Sequence, residues 1–129
     1  MVLSKDIILK LLPNQIQVME KIRIAAQAVS IDPVWAAAVA LKESSLGINQ
    51  LSPTGCKGVF QMSTIAMKDL LLEMEKRDDD LIDIYCGVLF LRLLLKRHKT
   101  IPKATARFCD PADRATYVPD VLRFMEELT

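Results

Sequence analysis

The sequence predicts an all-α protein folded as one compact domain over residues 1–129. Apolar residues recur at helical spacing along nearly the whole chain, and no stretch alternates convincingly as a strand. Of the residues, 51% are hydrophobic, while the chain holds only 4 glycines and 6 prolines. A chain of this length and composition buries a sizeable core, which excludes disorder, a repeat array and a low-complexity tail.

The first two predicted helices set the architecture. Residues 14–29 place most of their apolar side chains on one broad face. Asp32-Pro33 is a helix start signal, because Asp caps a helix N-terminus and Pro fits the first helical position. The helix that follows, from Pro33 to about Ser44, is apolar nearly all round and is therefore expected at the centre of the domain. Glu43 lies at its far end.

The remaining elements follow with short connections. Residues 45–58 form the longest irregular stretch, with a turn signal at residues 52–55. Further helices are predicted from Ser63 or Thr64 to about Lys76, from Leu81 to Arg97 after an Asp78–Asp80 cap, over Ile101–Phe108, and over Ala115–Leu128. The total is about six helices around a buried central helix.

The charge pattern favours no nucleic-acid partner. The formal net charge is +1, and the basic residues contain neither interleaved aromatics nor a defined recognition helix. An acidic stretch over residues 69–83 precedes a basic stretch over residues 92–114. We interpret both as solvated helix faces that attract one another; the alternative is that the basic stretch holds an anionic polymer.

The cysteines, the single histidine and the N-terminus exclude several other classes. Three cysteines without a CxxC pair predict neither a disulfide framework nor a zinc site, and free thiols suggest folding in a reducing compartment. One histidine argues against a His-based nucleophilic dyad. The N-terminus lacks the pattern of a signal peptide. The most apolar run, residues 81–95, carries Asp83 and Arg92 and is too short for stable membrane insertion.

Glu43 is the strongest candidate for chemistry. A glutamate at a helix end can simply face solvent. However, apolar surroundings penalise the ionised form, so such a carboxyl can stay protonated near neutral pH and act as a general acid. Glu43 is the only acidic residue between Asp32 and Asp69.

Three segments together resemble the lytic transglycosylase domain family, the goose-lysozyme-like helical enzymes that cleave bacterial peptidoglycan. The first runs from Ile31-Asp32-Pro33 through the apolar helix to Glu43-Ser44, and the second is Ser-Pro-Thr-Gly-Cys-Lys-Gly-Val-Phe-Gln at residues 52–61. The third is Tyr-Val-Pro-Asp-Val at residues 117–121, similar to the start of the family's last helix. The likeness extends from about Ile16 to Leu128 and implies a single lysozyme-like domain.

The resemblance implies a role for each matching residue. Glu43 would be the catalytic acid, with Tyr117 reaching toward it to hold it in place. Gly58 would let the backbone approach the sugar closely. The residues expected to bind or orient the substrate are Ser44, Ser52, Gly58, Phe60, Gln61, Phe108 and Tyr117. For Phe60 the alternative is core packing, and for Tyr117 it is a helix-end residue with its hydroxyl in water.

One segment departs from the family pattern. Where the family carries Ala-Tyr-Asn before the last helix, this chain has Ala106-Arg107-Phe108-Cys109. Phe108 keeps the aromatic ring without the hydroxyl, and Cys109 cannot supply the amide that binds the sugar.

The implied activity is cleavage of the bond between N-acetylmuramic acid and N-acetylglucosamine with 1,6-anhydro products. It needs one carboxyl group and no metal or cofactor. The alternatives are a hydrolytic lysozyme in which Asp110 or Asp113 activates water, a peptidoglycan-binding module without activity, and a helical protein-interaction domain.

Without a signal peptide, the chain is expected to be made in the cytoplasm and delivered to the cell wall. A phage or a secretion apparatus would provide the delivery, unless the chain is a domain cut from a longer protein. We expect a monomer.

Overall fold

The computed structural model describes residues 11–47, 59–60 and 81–129. In these ranges the chain is helical and contains no strand, which confirms the all-α prediction at that level. The helices are α1 (Pro13–Ala28), α2 (Pro33–Ser44), α3 (Leu81–His98), α4 (Ile101–Phe108) and α5 (Arg114–Leu128), with a 3-10 turn at Pro111–Asp113 before α5. The helix expected over about residues 63–76 and the turn at residues 52–55 lie outside the described ranges. None of the described helices is both long and apolar enough to cross a membrane.

Helix α2 is the central element among these helices. The Asp32 carboxylate accepts the N–H of Val34 at 2.9 Å, and Pro33 takes the first helical position, as the sequence predicts. The six residues from Trp35 to Ala40 have no exposed surface. Helices α1 and α5 pack against α2, while α3 packs against α1 and α4. Four of those six residues are alanine, so neighbouring backbones can approach α2 closely.

A buried hydrogen bond joins α2 to α4. The indole N–H of Trp35 donates to the hydroxyl oxygen of Thr105 at 2.9 Å, and that hydroxyl donates to the Ile101 carbonyl at 2.7 Å. Both side chains are fully buried. The only polar atom of the Trp35 side chain is therefore satisfied inside the core.

The ends of α1 and α2 are both closed by left-handed residues. After α1, Ser30 has φ 61°, and the N–H groups of Ser30 and Ile31 return to carbonyls of the last helical turn. After α2, three successive residues are left-handed: Ser45, Leu46 and Gly47, with φ of 52°, 56° and 89°. Leu46 is fully buried in spite of this unfavourable backbone region. The chain therefore turns away directly after Glu43 and Ser44.

Candidate active site

Glu43 lies in the last turn of α2, half-buried, against the first turn of α5. The phenolic hydroxyl of Tyr117 donates to its Oε1 atom at 2.6 Å. Tyr117 is only 5% exposed. Its hydroxyl therefore points inward to the carboxyl group, which is the contact expected from the sequence, and not into water.

The surroundings of Glu43 shift its proton affinity in the direction that a general acid needs. Burial raises the pKa of the Glu43 carboxyl above its ordinary value of 4.5, and the negative charge of Asp113 raises it further. The hydrogen bond from Tyr117 and the charge of Lys42 act in the opposite direction. Burial dominates, so the carboxyl holds its proton to a higher pH than an exposed glutamate does. Burial and the Glu43 charge also raise the pKa of Tyr117, which keeps it a hydrogen-bond donor.

Lys42 connects the helix that carries Glu43 to the helix that carries Tyr117. Its ammonium forms an ion pair with Asp120 of α5 at 2.7 Å and lies 5.9 Å from the centroid of the Tyr117 ring. Asp120 also faces Arg123 at 3.5 Å. The ion pair and the Tyr117 hydrogen bond thus join α2 to α5 within one helical turn of each other. No local sequence pattern connects Lys42 to Asp120, which lies 78 residues further along the chain.

Two residues between α4 and α5, Asp113 and Cys109, interact electrostatically with Glu43. The charge of Asp113 acts on the Glu43 carboxyl, whereas Asp110 accepts the Ala112 N–H at 3.1 Å and caps the 3-10 turn. Burial raises the pKa of the Cys109 thiol, and the Glu43 charge adds to that effect. The role of either aspartate in activating water stays a prediction.

Ser44 points into the core and not toward a ligand. It is 1% exposed, and its hydroxyl oxygen lies 2.6 Å from the Val59 carbonyl, 3.3 Å from the Ala40 carbonyl and 3.0 Å from the Gly47 nitrogen. A hydroxyl with almost no accessible surface and only backbone partners has no free position for a sugar. The expected substrate contact of Ser44 is thus corrected to a structural one.

Phe60 needs the same correction. Its ring is fully buried and lies against Gly87 of α3, where an added Cβ would collide with the ring. A side chain without accessible surface cannot contact a ligand directly, so the core-packing alternative describes this arrangement. Its neighbours Ser52, Gly58 and Gln61 lie outside the described residues, and their roles stay predictions.

Phe108 closes α4 and is half-buried, with its ring centroid 5.6 Å from that of Phe90 in α3. This ring contact is with the core side of the domain. The described structure thus joins Tyr117 to Glu43 but places the Phe108 ring against another helix. Its expected role in binding substrate stays a prediction.

Asp83 was overlooked as a site residue, although the sequence carried a signal for it. Asp83 ends the acidic stretch that was interpreted as a solvated helix face, and for Asp83 that interpretation is wrong. In the structure Asp83 is 2% exposed, and its carboxylate accepts the N–H of Val59 at 2.7 Å. Within the described ranges, no group of three metal-ligating side chains lies close enough together to hold an ion.

No family model, curated protein or solved structure matches the chain.

Proposed function

We propose that the protein is a peptidoglycan lytic transglycosylase with a lysozyme-like fold and Glu43 as its single catalytic carboxyl group. The observation that supports this best is the half-buried Glu43 carboxyl at the end of a buried helix, with a raised pKa and a 2.6 Å hydrogen bond from Tyr117. A protonated, oriented carboxyl is what a glycosidase needs to protonate a leaving oxygen.

The reaction proceeds in two proton transfers through the same carboxyl group. Glu43 donates its proton to the glycosidic oxygen, the bond from that oxygen to C1 of N-acetylmuramic acid breaks, and N-acetylglucosamine leaves as an alcohol. The Glu43 carboxylate then takes the proton of the C6 hydroxyl while that oxygen bonds to C1. The product is a 1,6-anhydro sugar, and Glu43 is protonated again.

Tyr117 and Lys42 support different parts of this cycle. The protonated state is favoured by burial, whereas the carboxylate that forms after the first step is stabilised by the Tyr117 hydroxyl and the Lys42 charge. Since the attacking hydroxyl belongs to the sugar itself, its effective concentration is high and no water has to be activated.

The test is replacement of the acid by its neutral isostere. Glu43→Gln should lower the release of soluble fragments from purified peptidoglycan by at least about 10²-fold, because the proton donor is lost. Circular dichroism should show an unchanged helix content. Glu126→Gln, the same chemical change at an exposed position of α5, is the matched control and should remain fully active. Equal release by wild type and Glu43→Gln would end the proposal.

A hydrolytic lysozyme is the second candidate. In that case Asp110 or Asp113 would activate water, and the fragments would carry reducing muramic acid ends. Mass spectrometry of the fragments separates the two: anhydro ends indicate the transglycosylase and reducing ends the lysozyme. Binding to peptidoglycan without any product would favour a binding module instead.

The proposed partner is the glycan strand of the cell wall, which the protein would reach through a phage or a secretion apparatus.

A further inference from the structure

A buried aspartate of α3 holds the backbone of Val59. Asp83, in the first turn of α3, accepts the N–H of Val59 on its Oδ2 atom at 2.7 Å. Asp83 is 2% exposed and Val59 is fully buried. A carboxylate is expensive to bury, and hydrogen bonds from backbone N–H groups are what compensate it.

The carbonyl group of Val59 is held by Ser44, the last residue of α2. The Ser44 hydroxyl donates to the Val59 carbonyl at 2.6 Å, and its oxygen accepts the N–H of Gly47 at 3.0 Å. Hydrogen bonds therefore run without interruption from Asp83 through Val59 and Ser44 to the left-handed turn after α2.

Phe60, the next residue, packs against the face of α3 that carries Asp83. Gly87 lies one helical turn after Asp83, and the Phe60 ring occupies the space where a Cβ of residue 87 would be. Asp83 thus holds the backbone of Val59, and Gly87 receives the side chain of Phe60. Together they fix Val59 and Phe60 against the end of the helix that carries Glu43.

We propose that Asp83 is a positioning residue for Glu43, an inference that rests on the proposed function. Through the backbone N–H and C=O groups of Val59 and the Ser44 hydroxyl it fixes the last turn of α2, and with it the direction in which the Glu43 carboxyl meets the glycosidic oxygen. Asp83 touches neither Glu43 nor substrate. It acts through two hydrogen bonds.

Kinetics of three variants test the proposal. Asp83→Leu removes the acceptor and should lower kcat at least tenfold with a smaller change in KM, because the acid is misdirected while the sugar sites remain. Asp83→Asn keeps an acceptor oxygen in the same place and should restore most of kcat. Val88→Ala, a fully buried residue of the same helix, should lower the melting temperature without lowering kcat. A loss in Asp83→Asn as large as in Asp83→Leu would overturn the proposal, and so would an equal loss of kcat in Val88→Ala.

Nuclear magnetic resonance of the wild type tests the same hydrogen bond directly. It depends neither on the folding of a variant nor on enzymatic activity. The Val59 amide proton should exchange slowly and show a scalar coupling through the hydrogen bond to the Asp83 carboxyl carbon. Absence of the coupling together with rapid exchange would overturn the role of Asp83. A wild type that shows the coupling but releases no fragments would instead count against the proposed function alone.

Discussion

At the scale of single residues, the site depends on opposing influences on one carboxyl group. Burial and Asp113 raise the pKa of Glu43, while Tyr117 and Lys42 lower it. The Tyr117 hydroxyl therefore has two effects: it orients the carboxyl group, and it limits how far the pKa rises. The two effects can be separated by experiment. Loss of orientation lowers the rate, whereas a changed Glu43 pKa shifts the pH dependence of the rate.

Tyr117→Phe should lower kcat about 10- to 100-fold, because the carboxyl group loses its orienting contact. It should also move the high-pH decline of kcat/KM upward. The acid is active when protonated, so activity is lost as pH rises through the Glu43 pKa, and removing a contact that lowers this pKa raises it further. Rate measurements across pH check both effects. Tyr85→Phe, at the only other tyrosine, is the control. A decline at unchanged or lower pH in Tyr117→Phe would contradict the assignment.

At the scale of elements, the site is formed where α2 and α5 meet. The hydrogen bond of Tyr117 to Glu43 and the ion pair of Lys42 with Asp120 lie side by side across this contact. The two partners on α5, Tyr117 and Asp120, are three residues apart, so they face the same side of the helix. The ion pair thus restricts how far α5 can slide along α2.

Asp120→Asn should lower kcat about threefold to tenfold, since the Tyr117 hydroxyl is held less firmly against Glu43. The melting temperature should change little, because solvent-accessible ion pairs contribute little to folding. Steady-state kinetics and thermal unfolding measure the two quantities. Glu127→Gln is the matched control, because it removes an exposed ion pair with Arg123 at 3.7 Å on the same helix. If both variants had the same kcat, the ion pair of Lys42 would have no part in positioning.

At the scale of the whole molecule, the buried bond between Trp35 and Thr105 holds α4 against the central helix. Thr105→Val should reduce the free energy of unfolding by about 1–3 kcal/mol, because the indole N–H is left in the core without an acceptor. Thr105→Ser keeps the hydroxyl and should cost less. Urea denaturation measures both. Unchanged stability in Thr105→Val would mean that this hydrogen bond contributes nothing to folding.

Sequence patterns predicted the described helices well because the signals were local. Asp32-Pro33 marked the start of α2, α4 was predicted at its observed bounds, and α3 and α5 were predicted to within one residue. The inward position of Ser44 was not predicted, and for Phe60 core packing was only the alternative. Both positions depend on packing between segments far apart in the chain, because Ser44 contacts Val59 and Phe60 contacts Gly87.

The contact between Tyr117 and Glu43 was expected only through the family resemblance, since 74 residues separate the two and no periodicity connects them. The ion pair of Lys42 with Asp120 was not foreseen for the same reason. Long-range polar contacts require the helix arrangement, which the spacing of apolar residues alone does not specify.

The left-handed turn after α2 restricts which amino acids position 46 can tolerate over evolution. Leu46 combines φ of 56° with complete burial. Glycine would suit the backbone but leave a cavity, and isoleucine or valine would fill the space but resist this conformation through their branched Cβ. An unbranched side chain such as methionine satisfies both requirements. Among sequences that share this architecture, leucine and methionine should therefore predominate at this position over equally hydrophobic β-branched residues.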